Sequence, residues 1–267
     1  MKKLLWIGLL AALSMALLAP ARVMAQSAFD GTWKIDLNQT QLPTKPGVYV
    51  LQNGTYHCRT CIPPIDVRAD GLDHKVAGDS CYDTVNIRVM DDRTVLETDK
   101  SKGQIVHTEK VTVSADGSTA VWEFSDSCSA NGEEVSWKQI SVRASRGPVG
   151  AHAISGSWRA VRIVNSSDNG PTATLKLEGD VFSFADSTGQ SYTAKLDGPD
   201  APLTGGASNT LVSVRRVDDG TIEETDKRAG KVVSVTRFAI STDGRTLNVT
   251  ISDKLQGSSM QFVAQKQ

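Results

Sequence analysis

Four cysteines are the residues of this chain whose type and spacing could support covalent chemistry. Cys58 and Cys61 stand two residues apart in the stretch YHCRTCIPP, and Cys81 and Cys128 follow at longer spacing. A Cys-x-x-Cys pair can be a redox centre, half of a metal site or a plain disulfide. Which of these applies depends on the elements that carry the pair.

The surroundings of Cys58 and Cys61 favour a structural disulfide. Redox pairs usually open a helix that lowers the thiol pKa, whereas this pair lies in a predicted β-hairpin just before two prolines. A zinc site needs a second pair of ligands, and the candidates, His57 and His74, lack the usual spacing. The redox and metal alternatives stay open, and the sequence assigns no catalytic residue, no metal ligand and no cofactor.

The first 25 residues have the pattern of a bacterial secretory signal peptide. Lys2 and Lys3 precede an apolar run that ends at Pro20, and cleavage is predicted after Ala25. The run is too short for a retained membrane span, and no cysteine follows the cleavage point to carry a lipid anchor. The sequence therefore predicts a periplasmic or secreted protein, without a membrane span after cleavage, in a compartment that permits disulfides.

The charge balance argues against nucleic acid as a partner. The chain has 29 Lys and Arg against 30 Asp and Glu, and loss of the leader takes the formal net charge from −1 to −4. No cluster of basic residues stands out. A weakly acidic chain without a basic patch is not expected to bind nucleic acid.

An internal repeat divides the chain. DDRTVLETDKSKGQIV from Asp91 matches DDGTIEETDKRAGKVV from Asp218 at an offset of 127, and FDGTW upstream matches ISGSW. The predicted organisation is a signal peptide over 1–25, a first repeat over 26–146 with all four cysteines, a linker over 147–153 and a second repeat over 154–267.

Each repeat has the pattern of antiparallel β-structure. Val, Ile and Thr alternate with polar residues in short runs, and Asp-Gly turn signals such as Asp116–Gly117 separate them. We expect about eight strands in each repeat, joined mostly by hairpins. The predicted fold is all-β, with two tandem antiparallel up-and-down β-barrels.

A three-residue motif opens each repeat, GTW at Gly31 and GSW at Gly156. This Gly-x-Trp opening resembles that of lipocalins and the wider calycin group, which implies a barrel that holds a small ligand. Lipocalins carry a last-strand Arg that packs over the Trp. Arg143 matches that position in the first repeat, and Lys266 stands near the end of the second. The tandem layout also resembles secreted bacterial proteins without an assigned function.

Tight turns predict how the strands pair in the first repeat. A two-residue turn at Asp116–Gly117 places His107 opposite Asp126, and turns at Lys102–Gly103 and Asp92–Arg93 extend the register to two further strands. One face then collects the apolar residues and must be the inside. This predicted inner face consists of Val85, Ile87, Val89, Leu96, Val111, Val113, Trp122 and Phe124.

The same register predicts cross-strand ion pairs on the outer face. Arg88 stands opposite Glu97, and the pair recurs in the second repeat as Arg215 and Glu224. We interpret these as exposed pairs of small energetic weight. The repeated stretch ETDK that contains both glutamates is interpreted as a strand end and turn.

The predicted ligand site lies inside the first barrel, where aromatic side chains meet polar ones. His107 and Asp126 either pair at the barrel rim or join the ligand contacts. The second repeat has Ser234, Thr236, Val249 and Ile251 at matching positions, so its barrel is expected to be less polar and filled by side chains. The candidate ligand-binding residues are His107, Glu109, Trp122, Phe124 and Asp126.

Strand direction predicts the cysteine pairing. Cys81 precedes and Cys128 follows a run of four antiparallel strands, which leaves both at one end of the barrel. Cys58 and Cys61 lie in a hairpin at the other end. A strand of seven residues spans about 20 Å, whereas bridged Cα atoms lie within about 7 Å. The expected bridges are therefore Cys58–Cys61 and Cys81–Cys128.

Resemblance and apolar interior together suggest an exported, non-enzymatic binding protein for a small, largely apolar ligand. One alternative is a protein-interaction or inhibitor module of the cell envelope that uses the outer face. The other is thiol–disulfide exchange through Cys58 and Cys61.

Overall fold

Short alternating runs of β-branched and polar residues form strands throughout the chain. The computed structural model describes residues 27–77, 81–167, 172–206 and 209–267, so the predicted signal peptide lies outside the described residues. The described residues contain no helix and form two antiparallel, nearly closed sheets. The predicted all-β class is confirmed, although each sheet has 10 strands rather than eight.

The strands follow one another in two runs. The first run is β1 (Gly31–Gln41), β2 (Gly47–Gln52), β3 (Thr55–Cys58), β4 (Ile65–Arg68), β5 (Asp73–Lys75), β6 (Thr84–Asp91), β7 (Thr94–Ser101), β8 (Gln104–Val113), β9 (Thr119–Asp126) and β10 (Val135–Arg146). The second run is β11 (Gly156–Ser166), β12 (Thr172–Glu178), β13 (Val181–Asp186), β14 (Ser191–Lys195), β15 (Ala201–Pro202), β16 (Thr210–Asp218), β17 (Thr221–Arg228), β18 (Lys231–Ile240), β19 (Thr246–Asp253) and β20 (Ser258–Lys266).

The two sheets exchange the first strand of each repeat. The sheet called here the first barrel has the order β4-β3-β2-β11-β10-β9-β8-β7-β6-β5, and the second barrel has the order β14-β13-β12-β1-β20-β19-β18-β17-β16-β15. The first barrel is thus continuous in sequence from β2 to β11, and it is inserted between β1 and β12 of the second. The predicted division at 147–153 follows the sequence repeat, whereas the sheets divide the chain differently.

Local pairing accounts for the exchange. β11 follows β10 after a short connection and pairs with it antiparallel, as consecutive strands usually do. The other edge of β11 pairs with β2, which joins β2–β4 to β5–β10 in one sheet. β1 is left to pair with β20 and β12 in the second barrel.

The two motif tryptophans show the exchange in their packing. Each indole N–H donates to the backbone carbonyl four residues earlier, at 3.0 Å for Trp33 and 2.7 Å for Trp158. The Arg143 guanidinium lies 4.0 Å above the Trp158 ring, and the Lys266 ammonium lies 5.3 Å from the Trp33 ring. Each cation thus covers the tryptophan of its own barrel, and in both cases that tryptophan comes from the other sequence repeat.

Both disulfides have the predicted pairing, but the prediction that they lie at opposite ends of the barrel is wrong. β3 and β9 run in the same direction, so the hairpin that follows Cys58 lies at the end that carries Cys81 and Cys128. Cys58 is joined to Cys61 with Cα atoms 5.5 Å apart, and Cys81 is joined to Cys128 with Cα atoms 6.0 Å apart. Cys128 follows β9 at the end where His107 pairs with Asp126. The described residues contain no helix long and apolar enough to span a membrane.

The barrels meet at like ends. Asn131, beyond the end of β9, donates from its side chain to the Ser187 carbonyl at 3.0 Å and from its backbone N–H to the Thr188 carbonyl at 3.3 Å. Both acceptors follow β13 of the second barrel. The open end of the first barrel that carries His107 and Asp126 therefore faces the corresponding end of the second.

Because the first barrel is continuous in sequence, a fragment over 47–166 is expected to fold alone. It keeps every strand of the sheet, both disulfides and the Arg143–Trp158 contact. The fragment over 26–146 follows the sequence repeat but lacks β11, the strand that joins β2 to β10. We expect cooperative thermal unfolding, followed by circular dichroism, for 47–166 alone. Cooperative unfolding of monomeric 26–146 with equal stability would contradict the exchange.

Candidate functional site

Two β-bulges in each barrel set the direction of the acidic side chains. Pairing of β7 with β8 starts from a tight turn in which Lys102 has a φ of 51° and Gly103 a φ of 83°. The register then shifts between Asp99 and Lys100, so Asp99 comes to lie opposite His107. The pairing register of β6 with β7 also shifts, between Val89 and Asp91. A bulge adds one residue to one strand and moves every later side chain to the other face.

The second barrel repeats both irregularities. The register of β17 against β18 shifts between Asp226 and Lys227, and that of β16 against β17 shifts between Arg216 and Asp218. Both repeats thus carry the same two bulges. In each repeat the bulges change which face of the sheet the side chains of the stretch ETDK occupy.

The predicted outer ion pairs are wrong for this reason. Glu97 is 7% exposed and Glu224 is 8% exposed, since both face the barrel interior. Glu97 lies opposite Ile87 and not opposite Arg88. Arg215 instead pairs with the outward-facing Glu223, at 2.7 Å.

The bulges also correct the predicted inner face. On β7, Val95, 2% exposed, takes the interior place that was predicted for Leu96. Val89 is 43% exposed, whereas Val85 and Ile87 are fully buried as predicted. The register of β8 against β9 is confirmed, with His107 opposite Asp126 and Glu109 opposite Phe124.

Carboxyl groups collect inside the first barrel. Glu97 and Glu109 lie directly opposite each other on β7 and β8, with Asp99 two residues further along β7. Burial raises the pKa of Glu97, although the Tyr56 hydroxyl and the charge of His107 act against it. Burial, followed by the charges of Glu97 and Asp99, raises the pKa of Glu109 well above its ordinary value. These groups keep their protons to higher pH than surface carboxyls do.

One basic side chain faces this acidic group. The His107 Nδ1 atom lies 3.4 Å from the Asp126 carboxylate, so the predicted rim pair is formed. Burial lowers the pKa of His107, but the bond to Asp126 and the charge of Asp99 outweigh it and raise the pKa overall. Burial raises the pKa of Asp126, and the bond to His107 together with the backbone N–H of Cys128 brings it below its ordinary value. His107 is thus a base among the carboxyls, and its charged form is favoured relative to a free histidine.

Aromatic rings fill much of the remaining interior of the first barrel. Tyr49 lies 5.0 Å from Trp122 and 6.5 Å from Tyr56, measured between ring centroids. Phe124 lies 6.5 Å from Trp122 and 4.6 Å from Trp137. The indole N–H of Trp122 is buried without a hydrogen-bond partner. The five candidate residues therefore share the inner face, and their part in ligand binding stays a prediction.

The second barrel holds an acidic pair at the matching positions. The Tyr192 hydroxyl donates a hydrogen bond to Glu224. Burial and the charge of Asp226 raise the pKa of Glu224 to about 8, against the effect of the Tyr192 bond. Burial also raises the pKa of Asp226, while Arg228 and Glu224 lower it. The two acids lie close enough to shift each other's pKa, so their titrations are linked.

A cavity of about 490 Å³ lies inside the second barrel. Trp33 stands in its wall on β1, and the first barrel contributes Val135, Trp137 and Ile163. Most of the other wall residues are apolar. The polar part of the wall includes Tyr192, Glu224, Asp226 and Thr236.

The expectation that the second barrel is filled is therefore wrong. Smaller side chains account for the space. The first barrel pairs Phe124 with Trp137, and the second pairs Ile251 with Met260 at the same register. Val249 takes the place of the bulky Trp122 ring.

No protein family, curated protein or solved structure gives a significant match to the chain. The site is therefore described by its own geometry.

The acidic residues of the ETDK stretches were missed as interior groups by the sequence prediction. Their signal was available, because this stretch is identical in both repeats whereas the residues around it vary. Within the described part of the chain, no three His, Cys, Asp or Glu side chains are placed to hold a metal ion.

The raised pKa of Glu224 predicts a stability that falls between about pH 5 and pH 8. In this window the unfolded chain, with a glutamate pKa of 4.5, releases a proton that the folded chain keeps up to about 8, so the free energy of unfolding falls as pH rises. Glu97 and Glu109 act in the same direction. We expect Glu224→Gln to reduce the loss by about 2–4 kcal/mol in urea titrations at both pH values.

The control for this prediction is Glu223→Gln. Glu223 is the next residue on the outer face, and bonds from Arg237 and Arg215 lower its pKa. Its replacement should leave the change between pH 5 and pH 8 intact. If the free energy of unfolding fell equally between pH 5 and pH 8 in wild type and in Glu224→Gln, Glu224 would not be protonated in the folded state.

Proposed function

We propose that the chain is an exported, non-enzymatic binding protein that holds a small, largely apolar molecule in its second barrel. The observation that carries the proposal is the cavity of about 490 Å³ with its mainly apolar wall. Sites for small molecules commonly have volumes of about 300–1,000 Å³, apolar walls and a few polar groups. The cavity has each of these properties.

The position of the cavity supports a protected site. Its wall combines β-strands of the second barrel with Val135, Trp137 and Ile163 of the first. The sheet of the second barrel around the cavity and the residues of the first barrel at its wall limit the contact of an apolar ligand with water. Burial of apolar surface then stabilises the complex by about 25 cal/mol per Å².

The proposal includes a lipocalin-like character for both barrels. It is supported by the cation over each motif tryptophan, Arg143 over Trp158 and Lys266 over Trp33. Export is supported by two disulfides, which persist mainly outside the reducing cytosol.

The test fills the cavity of the second barrel with large aromatic side chains like those at the matching positions of the first barrel. We expect wild-type protein to bind the neutral dye Nile red with increased emission. Ile251→Phe combined with Met260→Trp should weaken binding by about tenfold or more, because the added rings occupy the ligand space. Fluorescence titration measures the change.

The matched control is Val232→Trp, which adds the same ring on the outer surface, where Val232 is 42% exposed. It should bind the dye like wild type. A filled variant that is folded by near-ultraviolet circular dichroism and binds with unchanged affinity would overturn the proposal. It would favour a role of the outer surface in contacts with other proteins.

A further inference from the structure

The wall of the cavity in the second barrel carries acidic side chains and no basic side chain. Glu224, Asp226 and Asp186 line it, and none of the lining residues is Lys, Arg or His. Asp186 is satisfied by the turn that follows it, since its Oδ1 atom accepts from Thr188 and Gln190. Glu224 and Asp226 are left as the acids whose charge the cavity itself does not balance.

Asp226 has an unused acceptor at this place. Its Oδ1 atom is buried and has no hydrogen-bond partner among the residues that the structure describes. Arg228 is the nearby cation, but its Nε–H donates to the Thr210 hydroxyl at 3.1 Å and its side chain is exposed at the strand end. Burial of a polar acceptor without a partner is unfavourable, because the acceptor loses its hydrogen bonds to water. A donor inside the cavity would recover that free energy.

The first barrel shows which kind of group is missing. There the matching acids, Glu97 and Asp99, face an internal base, because His107 lies opposite Asp99 across the sheet. In the second barrel Ser234 lies opposite Asp226 at the same register. The duplicated acids are thus kept, while the cation that balances them is present in one barrel and replaced by a neutral hydroxyl in the other.

We propose that the ligand of the second barrel carries a protonated amine, which pairs with Glu224 and Asp226 while its apolar body fills the rest of the cavity. This inference rests on the function proposed above and adds the chemical class of the ligand. The ammonium takes the place that the His107 side chain has opposite Asp99 in the first barrel.

The surrounding walls suit such a molecule. Phe184 and Tyr192 stack with centroids 5.4 Å apart, and Phe184 lies 6.2 Å from Phe238. The faces of these rings attract a cation. On the opposite strands Ile251 and Met260 offer apolar contact. A ligand with a basic end and a hydrocarbon body meets both surfaces.

Binding of a cationic ligand beside Glu224 also changes the protonation of the site. Because the pKa of Glu224 is raised to about 8, arrival of an ammonium ion favours release of its proton to solvent and leaves the ligand charged. The titratable groups that face Glu224 are Tyr192 on β14 and Asp226 on its own strand, with Arg228 further along. Its partners on β16 and β18, Val214 and Thr236, do not titrate.

The test compares octylamine, octanol and octanoate as competitors of Nile red on the full chain at neutral pH. An alkylamine is protonated there, with a pKa close to that of lysine, about 10.4. We expect octylamine to compete about tenfold more strongly than octanol, and octanoate least. Calorimetry in buffers of different ionisation enthalpy should show proton release with octylamine alone.

Two variants locate the effect. Ser234→His supplies the internal base of the first barrel, and Asp226→Asn removes one acid; each should abolish the preference for octylamine while Nile red still binds. Glu223→Gln removes a negative charge from the outer face and should keep the preference. Equal competition by octylamine and octanol in wild type would overturn the amine inference and leave the proposed function standing. Failure of Nile red and all three competitors to bind would overturn the proposed function itself.

Discussion

The bulges beside Asp99 and Asp226 are the constraint on which the interior of both barrels depends. Without them, a strand that leaves a two-residue turn would send Glu97 and Glu224 to solvent, where carboxylates are well hydrated. Each bulge moves the following side chains to the opposite face, and burial then raises the pKa of both glutamates. The hydroxyls of Tyr56 and Tyr192 offset part of the cost by hydrogen bonding to them. A costly arrangement that occurs in both halves of a duplicated chain points to a use for internal acids.

Strand exchange decides how the two interiors meet. Because β1 belongs to the second barrel and β11 to the first, the chain crosses between the sheets twice and holds their like ends together. Trp137 can then stack on Phe124 in one barrel and also stand in the cavity wall of the other. The halves have diverged inside this shared frame. The first keeps large rings and His107, and the second has smaller side chains and Ser234, which together leave space and uncompensated acids.

Much of the fold follows from local patterns, and the site does not. Alternation and Asp-Gly turns suffice for the antiparallel strands and the pairing of β8 with β9. The cysteine pairs were predicted correctly, although the strand directions used for them were not, because β3 and β9 run the same way. A bulge has no comparable signal, because one extra residue near Asp99 costs little locally and is decided by the packing of the whole barrel. The error at Leu96 and Glu97 follows from that one residue. The exchange of β1 and β11 was equally hidden, since the Gly-x-Trp motif and the turn signals are local and do not specify which barrel a strand joins.

The most direct measurement of this account is a carboxyl titration by ¹³C NMR in which Glu223 and Glu224 are followed in the same sample. The two are neighbours in sequence, and the bulged register places them on opposite faces of β17. The account predicts that Glu224 titrates near pH 8 and Glu223 below its ordinary value of 4.5. If Glu224 titrated at or below 4.5 together with Glu223, its carboxyl would be in water. The internal acidic pair, and the ligand chemistry inferred from it, would then be wrong.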